Sequence, residues 1–132
     1  IGYVEYAYVL QNKMTYAQVK NRDGHFVAPS AKAFMAAAAG ADWNKAPGMY
    51  LILTDAPGAD AWPIAGATFI LMHKVQEKPE RAAEVLKFFK WAYANGDQMA
   101  ESLDYVPMPN SVVSLIETHW KQIKDASGKA VY

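Results

Sequence analysis

With 132 residues, of which 52% are hydrophobic and 20% charged, the chain has the size and composition of one modest globular domain. Its 13 Lys and Arg residues balance 13 Asp and Glu residues, so there is no basic excess to bind nucleic-acid phosphates or an anionic membrane surface, and we expect no nucleic-acid partner. The absence of cysteine excludes disulfides, thiolate nucleophiles and cysteine metal sites, and no apolar run reaches the ~18 residues that span a bilayer.

The N-terminal region predicts short elements. Residues 1–4 are typical of a strand end, and because this apolar segment has no cap or turn before it, we expect the chain to be part of something longer. Residues 5–10 predict a short helix. Residues 16–20 and 25–27 predict two extended runs, and the Asp23-Gly24 pair between them is among the strongest hairpin signals.

A helix and a loop-rich stretch follow the hairpin. Ser30 can cap a helix over residues 31–39, and Gly40 can end it in the left-handed αL conformation. Prolines and glycines punctuate residues 43–57, which predicts loops. Inside this stretch the apolar run at residues 49–54 predicts a strand, although periodicity alone leaves such short runs ambiguous.

The chain is arranged around a corner at Asp60, Trp62 and Pro63. A residue before proline is biased toward extended backbone, so Trp62-Pro63 predicts a turn into an extended run. Residues 68–72 lack polar alternation and predict a strand covered on both faces, as in a parallel or mixed sheet of an α/β protein. We interpret Trp62 as a packing anchor and Asp60 as a cap or hinge contact rather than a ligand group.

Longer helices dominate the C-terminal region. Pro79 suits the first position of a helix that ends at Asn95-Gly96 and has an apolar face at three- and four-residue spacing. A short helical piece is predicted at residues 97–103. Asn110 or Ser111 can cap a last helix that runs to Ile123. Helical spacing predicts core positions for two tryptophans, Trp91 and Trp120.

No set of residues predicts catalysis or metal binding. The three histidines, His25, His73 and His119, have no pair at metal-ligand spacing, so structural or solvated roles are the better interpretation. The charged residues between positions 77 and 87 predict a solvated helix face with ion pairs, with paired catalytic carboxylates as the minor alternative. No glycine-rich phosphate loop or serine-nucleophile motif occurs. We predict no catalytic residue, no metal ligand and no cofactor.

Several pieces of the sequence together match one family in order and approximate spacing. The chain resembles the C-terminal portion of the periplasmic phosphate-binding protein of bacterial phosphate ABC transporters. The resemblance covers nearly the whole chain, and no single piece would suffice for it. The matching pieces are Ile1-Gly2-Tyr3-Val4-Glu5-Tyr6-Ala7-Tyr8, Gly40-Ala41-Asp42-Trp43, Asp60-Ala61-Trp62-Pro63-Ile64, Thr68-Phe69-Ile70-Leu71, Glu84-Val85-Leu86-Lys87-Phe88-Phe89, Trp91-Ala92-Tyr93, Leu103-Asp104-Tyr105-Val106-Pro107-Met108-Pro109 and the tail at residues 124–132.

The resemblance implies an α/β segment of a two-lobed, type II periplasmic binding protein, with mixed sheets flanked by helices. Residues 1–59 would belong to the second lobe, residues 60–67 would form the interlobe crossover, and residues 68–132 would complete the first lobe. The corner residues Asp60, Trp62 and Pro63 would lie between the lobes. The partners implied are inorganic phosphate, the membrane permease of the transporter, and the missing N-terminal part of the same protein.

The chain departs from the family at the ligand site. The resemblance implies phosphate ligands from Thr, Ser and Asp groups and from an Arg-x-Asp-x-Ser-Gly-Thr segment, all of which precede the region present here. The only arginines, Arg22 and Arg81, lack that context. We therefore predict no phosphate-binding residue in this chain, because dehydrated phosphate needs many convergent donors and a charge-assisted contact.

Two other classes remain open. One is a small enzyme that uses Asp60 or Glu5 with a histidine, and the other is a stand-alone interaction module. An enzyme would keep its activity in the pure chain, and a module would melt cooperatively as a monomer. A fragment would instead have unpaired strands, and we expect it to aggregate or to pair with an N-terminal companion.

Overall fold

A computed structural model describes residues 1–132 and contains helices with two small two-stranded sheets, one antiparallel and one parallel. This composition confirms the α/β class. Two short 3₁₀ turns, Trp43–Lys45 and Pro47–Met49, lie in the middle of the chain. The helices and strands are α1 (Tyr6–Gln11), β1 (Val19–Lys20), β2 (Phe26–Val27), α2 (Ala31–Gly40), β3 (Val75–Gln76), α3 (Pro79–Asn95), α4 (Asp97–Ser102), α5 (Asn110–Trp120) and β4 (Lys124–Asp125).

The hairpin predicted around Asp23-Gly24 is confirmed. Strands β1 and β2 pair antiparallel, with Val19 opposite Val27 and Lys20 opposite Phe26. Gly24 has a φ of 89°, a left-handed conformation that glycine adopts without a steric penalty. Its N–H donates to the carbonyl of Asn21 at 3.0 Å and closes the turn.

Helix α2 begins as predicted and ends differently. The Ser30 hydroxyl accepts the Ala33 N–H at 3.2 Å, which confirms the cap. The αL stop at Gly40 is wrong, because Gly40 is the last helical residue and has no positive φ. A Cβ added there would lie 2.3 Å from the Pro57 carbonyl oxygen, so the glycine permits close approach of the next loop.

The two apolar strands predicted in the middle of the chain are wrong. Residues 49–54 form no strand and contribute only one antiparallel bridge, between Thr54 and Ile64. Residues 68–72 have no secondary structure at all. The physical reason is shared: a strand exists only where a neighbour exchanges backbone hydrogen bonds with it, and within these two runs only Thr54 has such a neighbour.

The region from β3 to α4 follows the sequence signals. Pro79 occupies the first turn of α3, Gly96 follows its last residue, and α4 occupies the predicted short helical piece. Strand β3 pairs parallel to β4, with Val75 opposite Lys124 and Gln76 opposite Asp125. The parallel connection between them is made by the three helices α3, α4 and α5.

Helix α5 is shorter than predicted and has no side-chain cap. Its N-cap position is Pro109, and neither Asn110 nor Ser111 caps it. The Pro109 carbonyl accepts the N–H groups of Val112 and Val113 at 2.9 and 3.0 Å, so the helix begins after Pro109 without a side-chain cap. The helix ends at Trp120, and Ile123 is buried just beyond it.

The buried core is small and divided. Only 15 of 132 residues are buried, which leaves many large apolar side chains at the surface. Trp120 is buried as predicted, whereas the core position predicted for Trp91 is wrong, since that side chain is 51% exposed. Three clusters form the core: Ala38, Trp43, Leu53 and Val112; Ala37, Ala56 and Ala61; and Leu86, Trp120 and Ile123.

Candidate functional site

The corner at residues 58–64 is held by backbone and side-chain hydrogen bonds to three other parts of the chain. Gly58 has a φ of 129°, and its carbonyl accepts the Ala61 N–H at 3.0 Å. The Trp62 N–H donates to the Ala33 carbonyl of α2 at 3.0 Å, and the Pro63 carbonyl accepts the Asp55 N–H at 2.8 Å. The backbone of Trp62 and Pro63 is therefore fixed on both sides, against α2 and against residues 54–55.

A buried amide, Asn21, ties the corner to the hairpin. Its side-chain nitrogen lies 3.1, 2.8 and 3.3 Å from the carbonyl oxygens of Gly58, Ala59 and Ala61. Its side-chain oxygen accepts the His25 N–H at 2.9 Å. Asn21 is 5% exposed and fully partnered, so it stabilises both the turn and the corner.

Sequence reasoning missed Asn21. The residue precedes an Asp-Gly turn, where an asparagine is expected to bond locally, as it does to His25. The contacts that distinguish it reach 37 to 40 residues along the chain. No local spacing encodes such a long-range contact.

Asp60 forms an ion pair at the surface. Its carboxylate lies 2.8 Å from the Lys32 ammonium, and the two side chains are 64% and 82% exposed. Hydrogen bonding and charge from Lys32 lower the pKa of Asp60, with a smaller contribution from His25. The same hydrogen bond and charge raise the pKa of Lys32. The ion pair thus links the corner to the first turn of α2.

Trp62 packs into a chain of aromatic side chains. Its ring meets that of Phe34 edge-on, with centroids 6.3 Å apart. Phe34 meets Tyr6 at 5.5 Å, and Tyr6 meets Tyr16 at 6.0 Å, both also edge-on. These geometries are favourable for aromatic pairs and confirm the packing role predicted for Trp62. The interlobe role of Asp60, Trp62 and Pro63 stays a prediction.

A surface cleft of about 310 Å³ lies between the hairpin, α2 and the corner. Its polar lining includes His25, Ser30, Lys32 and Asp60. Lys32 is neutralised by Asp60, and the Ser30 hydroxyl is engaged in capping α2. The cleft therefore offers an anion no convergent set of unengaged donors. A second, apolar cavity of about 50 Å³ lies between α2 and residues 106–108.

The remaining candidate groups are dispersed. No group of three or more His, Asp and Glu side chains is placed to hold a metal ion. Arg22 is exposed and its Nε lies 3.3 Å from an Asp55 carboxylate oxygen. The helix face predicted to be solvated carries the Glu84–Lys87 pair at 2.7 Å, with both side chains exposed. None of the helices has the length and apolar character needed to cross a membrane.

Comparison with characterised proteins identifies several phosphate-binding proteins among the relatives of this chain. The chain is 49% identical over 133 residues to the phosphate-binding protein PstS of Pasteurella multocida, 49% over 121 residues to that of Haemophilus influenzae, and 48% over 120 residues to that of Xylella fastidiosa. The chain is homologous to the PstS phosphate-binding proteins. The resemblance inferred from its motifs is thereby confirmed. No protein-family model matches the chain.

The match covers the whole of this chain but a minor part of its PstS relatives. The three alignments cover 100%, 92% and 91% of this chain and 39%, 36% and 33% of the relatives. The aligned region is the C-terminal part of those proteins. The residues of the PstS proteins outside the aligned region have no counterpart among these 132 residues.

Proposed function

We propose that this chain is the C-terminal segment of a periplasmic solute-binding protein that captures inorganic phosphate for an ABC import system. The main support for the proposal is the alignment with a phosphate-binding protein, which covers 100% of this chain at 49% identity. Because the chain covers 39% of that relative, the function is proposed for a longer protein that contains such a segment.

In the proposed mechanism two lobes close around the anion, and the closed form docks on the membrane permease. Residues 1–59 would contribute to the second lobe, residues 60–67 would cross between the lobes, and residues 68–132 would contribute to the first lobe. The corner residues Asp60, Trp62 and Pro63 would then lie at the crossover. The bonds of Asp60 and Trp62 to α2, and of Pro63 to Asp55, support a role in holding the crossover in one geometry.

No phosphate ligand is proposed within this chain. Three cationic side chains are already in ion pairs: Arg22 pairs with Asp55, Lys32 pairs with Asp60, and Lys45 pairs with Asp42 at 2.6 Å. Tight phosphate binding requires several donors that converge on one point, with at least one charge-assisted contact. The ligands would lie in the part of the longer protein that these residues do not span.

We further propose that the longer protein that contains this segment acts by binding rather than by catalysis. Its relatives are named for phosphate binding. Asp60, the first candidate catalytic residue, is hydrogen-bonded to Lys32 and not to a histidine. Glu5, the second candidate, is exposed at the start of α1 and makes no ion pair. Neither carboxylate is hydrogen-bonded to a histidine, the partner that the enzyme alternative requires.

Phosphate calorimetry on two proteins tests this proposal. One is the 132-residue chain, and the other is a hybrid that joins the upstream part of the Pasteurella multocida relative to residues 1–132. We expect the hybrid to bind phosphate at least about 100-fold more tightly than the chain alone, a difference of about 2.7 kcal/mol. Sulfate serves as the control anion. Tight binding by the chain alone, or a folded hybrid without phosphate affinity, would contradict the proposal.

A further inference from the structure

The side chain of Asn21 joins the hairpin to the corner. Its amide nitrogen carries two hydrogens and faces three carbonyl oxygens, those of Gly58, Ala59 and Ala61, at 3.1, 2.8 and 3.3 Å. Its amide oxygen accepts the His25 N–H at 2.9 Å. At 5% exposure, the side chain has little access to water that could replace these bonds. The position of the corner backbone therefore depends on the donors of this one amide.

The carbonyls that Asn21 holds lie at the boundary proposed between the second lobe and the crossover. Under that division, Gly58 and Ala59 would be the last bonded residues of the second lobe, and Ala61 would already be in the crossover, residues 60–67. Asn21 would belong to the second lobe, because it lies in the hairpin between β1 and β2. The residue is thus placed to fix the start of the crossover on the second lobe.

The backbone bonding of the crossover changes along its length. The Trp62 N–H donates to the Ala33 carbonyl, and Ile64 forms a bridge with Thr54, so this part is bonded to residues that precede the corner. Residues 65–67 make no backbone hydrogen bond within the chain. Hinges are a few loop residues that absorb changes in φ and ψ. Bending between the lobes would therefore be confined to residues 65–67, starting from a direction that the bonded part sets.

The buried amide controls this direction more strongly than the surface ion pair does. The Asp60 and Lys32 side chains are 64% and 82% exposed, so water screens their attraction. Ala61 is 0% exposed, so its carbonyl has no access to water in place of the Asn21 donor. Removing that donor leaves a buried acceptor unsatisfied, which is costly unless the backbone moves. The corner backbone would therefore shift when the donors of Asn21 are lost.

We propose that Asn21 is a positioning residue for phosphate binding, which acts by fixing the direction in which the crossover leaves the second lobe. The inference rests on the proposed function and assigns Asn21 no contact with phosphate. A protein that must close on its ligand has an apparent Kd equal to the intrinsic Kd divided by the fraction of molecules able to close correctly. A crossover that starts in many directions lowers this fraction, so losing the Asn21 donors weakens phosphate binding.

Phosphate calorimetry on the hybrid described above tests the donors. Asn21→Asp keeps the shape of the side chain and the acceptor for the His25 N–H, but it places an acceptor-only carboxylate against three carbonyl oxygens. At about pH 8 we expect its Kd for phosphate to be at least about 10-fold higher than that of the parent hybrid. Asn21→Leu, which has neither donor nor acceptor, should raise the Kd by a similar factor.

The pH dependence of the Kd distinguishes the donors from the packing of the side chain. Burial among carbonyl oxygens disfavours the charged carboxylate, so the new carboxyl in Asn21→Asp should have a pKa well above the ordinary ~3.9. Below that pKa the carboxyl is protonated and donates again. Between about pH 8 and about pH 5 we expect the ratio of variant to parent Kd to fall at least about 3-fold for Asn21→Asp and to stay constant for Asn21→Leu. Measuring the parent at each pH corrects for the ionisation of phosphate itself.

Leu86→Ala is the matched control for lost stability. Leu86 is 1% exposed in the separate cluster with Trp120 and Ile123, so the variant should lower the unfolding temperature of the hybrid and leave its Kd within about 2-fold. If the parent binds phosphate, an equal loss of affinity in Leu86→Ala and Asn21→Leu would overturn the inference. Unchanged affinity in both Asn21 variants, or a constant ratio for Asn21→Asp, would also overturn it. A folded parent hybrid without phosphate affinity would remove the proposed function and this inference with it.

Discussion

At the scale of single residues, Asn21 has more long-range polar contacts than any other side chain of the chain. Its amide group lies against the carbonyls of Gly58, Ala59 and Ala61 and accepts the His25 N–H. A buried group with this many partners is costly to remove, because each partner that loses its bond stays buried and unsatisfied. Surface ion pairs such as Lys32–Asp60 contribute much less, since water screens both charges.

Replacing Asn21 should therefore lower the stability of the chain strongly. We expect Asn21→Leu, which keeps the size of the side chain but none of its polar atoms, to lower the free energy of unfolding by about 2–4 kcal/mol. Urea unfolding measures the loss. Asn12→Leu is the control, because Asn12 is exposed and bonds only to the Tyr8 carbonyl at 2.9 Å, and it should cost less than about 0.5 kcal/mol. A similar small effect for both variants would show that Asn21 does not stabilise the corner.

At the scale of elements, local chemistry could be predicted from the sequence and long-range pairing could not. The Asp23-Gly24 hairpin, the Ser30 cap and the start of α3 at Pro79 each depend on residues within one turn of one another. The strands expected at residues 49–54 and 68–72 depend on neighbours, which the sequence of an element cannot supply. The same limit explains why Asn21, which bonds to the carbonyls of Gly58, Ala59 and Ala61, was missed.

The packing of α2 against the following loop gives a second prediction. A Cβ at Gly40 would meet the Pro57 carbonyl oxygen at 2.3 Å, a contact that must push helix and loop apart. We expect Gly40→Ala to lower the free energy of unfolding by about 1–3 kcal/mol, even though alanine is the better helix former. The loss is measured by urea unfolding.

Gly66→Ala is the matched control for this substitution. Gly66 has no atom within 4 Å of an added Cβ and no positive φ, so alanine there should be neutral within about 0.5 kcal/mol. A stabilising effect of Gly40→Ala would mean that the close approach of Pro57 is not maintained in solution.

At the scale of the whole molecule, the hydrophobic core is divided into three separate clusters. With 15 of 132 residues buried, no single cluster joins all the elements. The cluster of Ala38, Trp43, Leu53 and Val112 is nevertheless shared by residues before and after the corner, since Val112 lies on α5 and the others precede residue 60. Residues on either side of the corner are thus in contact within this chain.

A double-mutant cycle shows whether this contact makes the chain one cooperative unit. Leu53 is 3% exposed and Val112 is 2% exposed in the same cluster, so Leu53→Ala and Val112→Ala remove atoms from one shared space. We expect the double variant to depart from the sum of the single variants by about 0.5–1.5 kcal/mol in urea unfolding. Leu53→Ala with Leu86→Ala is the control cycle, because Leu86 lies in a separate cluster and the two effects should add within about 0.5 kcal/mol. Additivity in both cycles would mean that residues on either side of the corner fold without sensing each other, because a shared core cannot lose two neighbouring side chains independently.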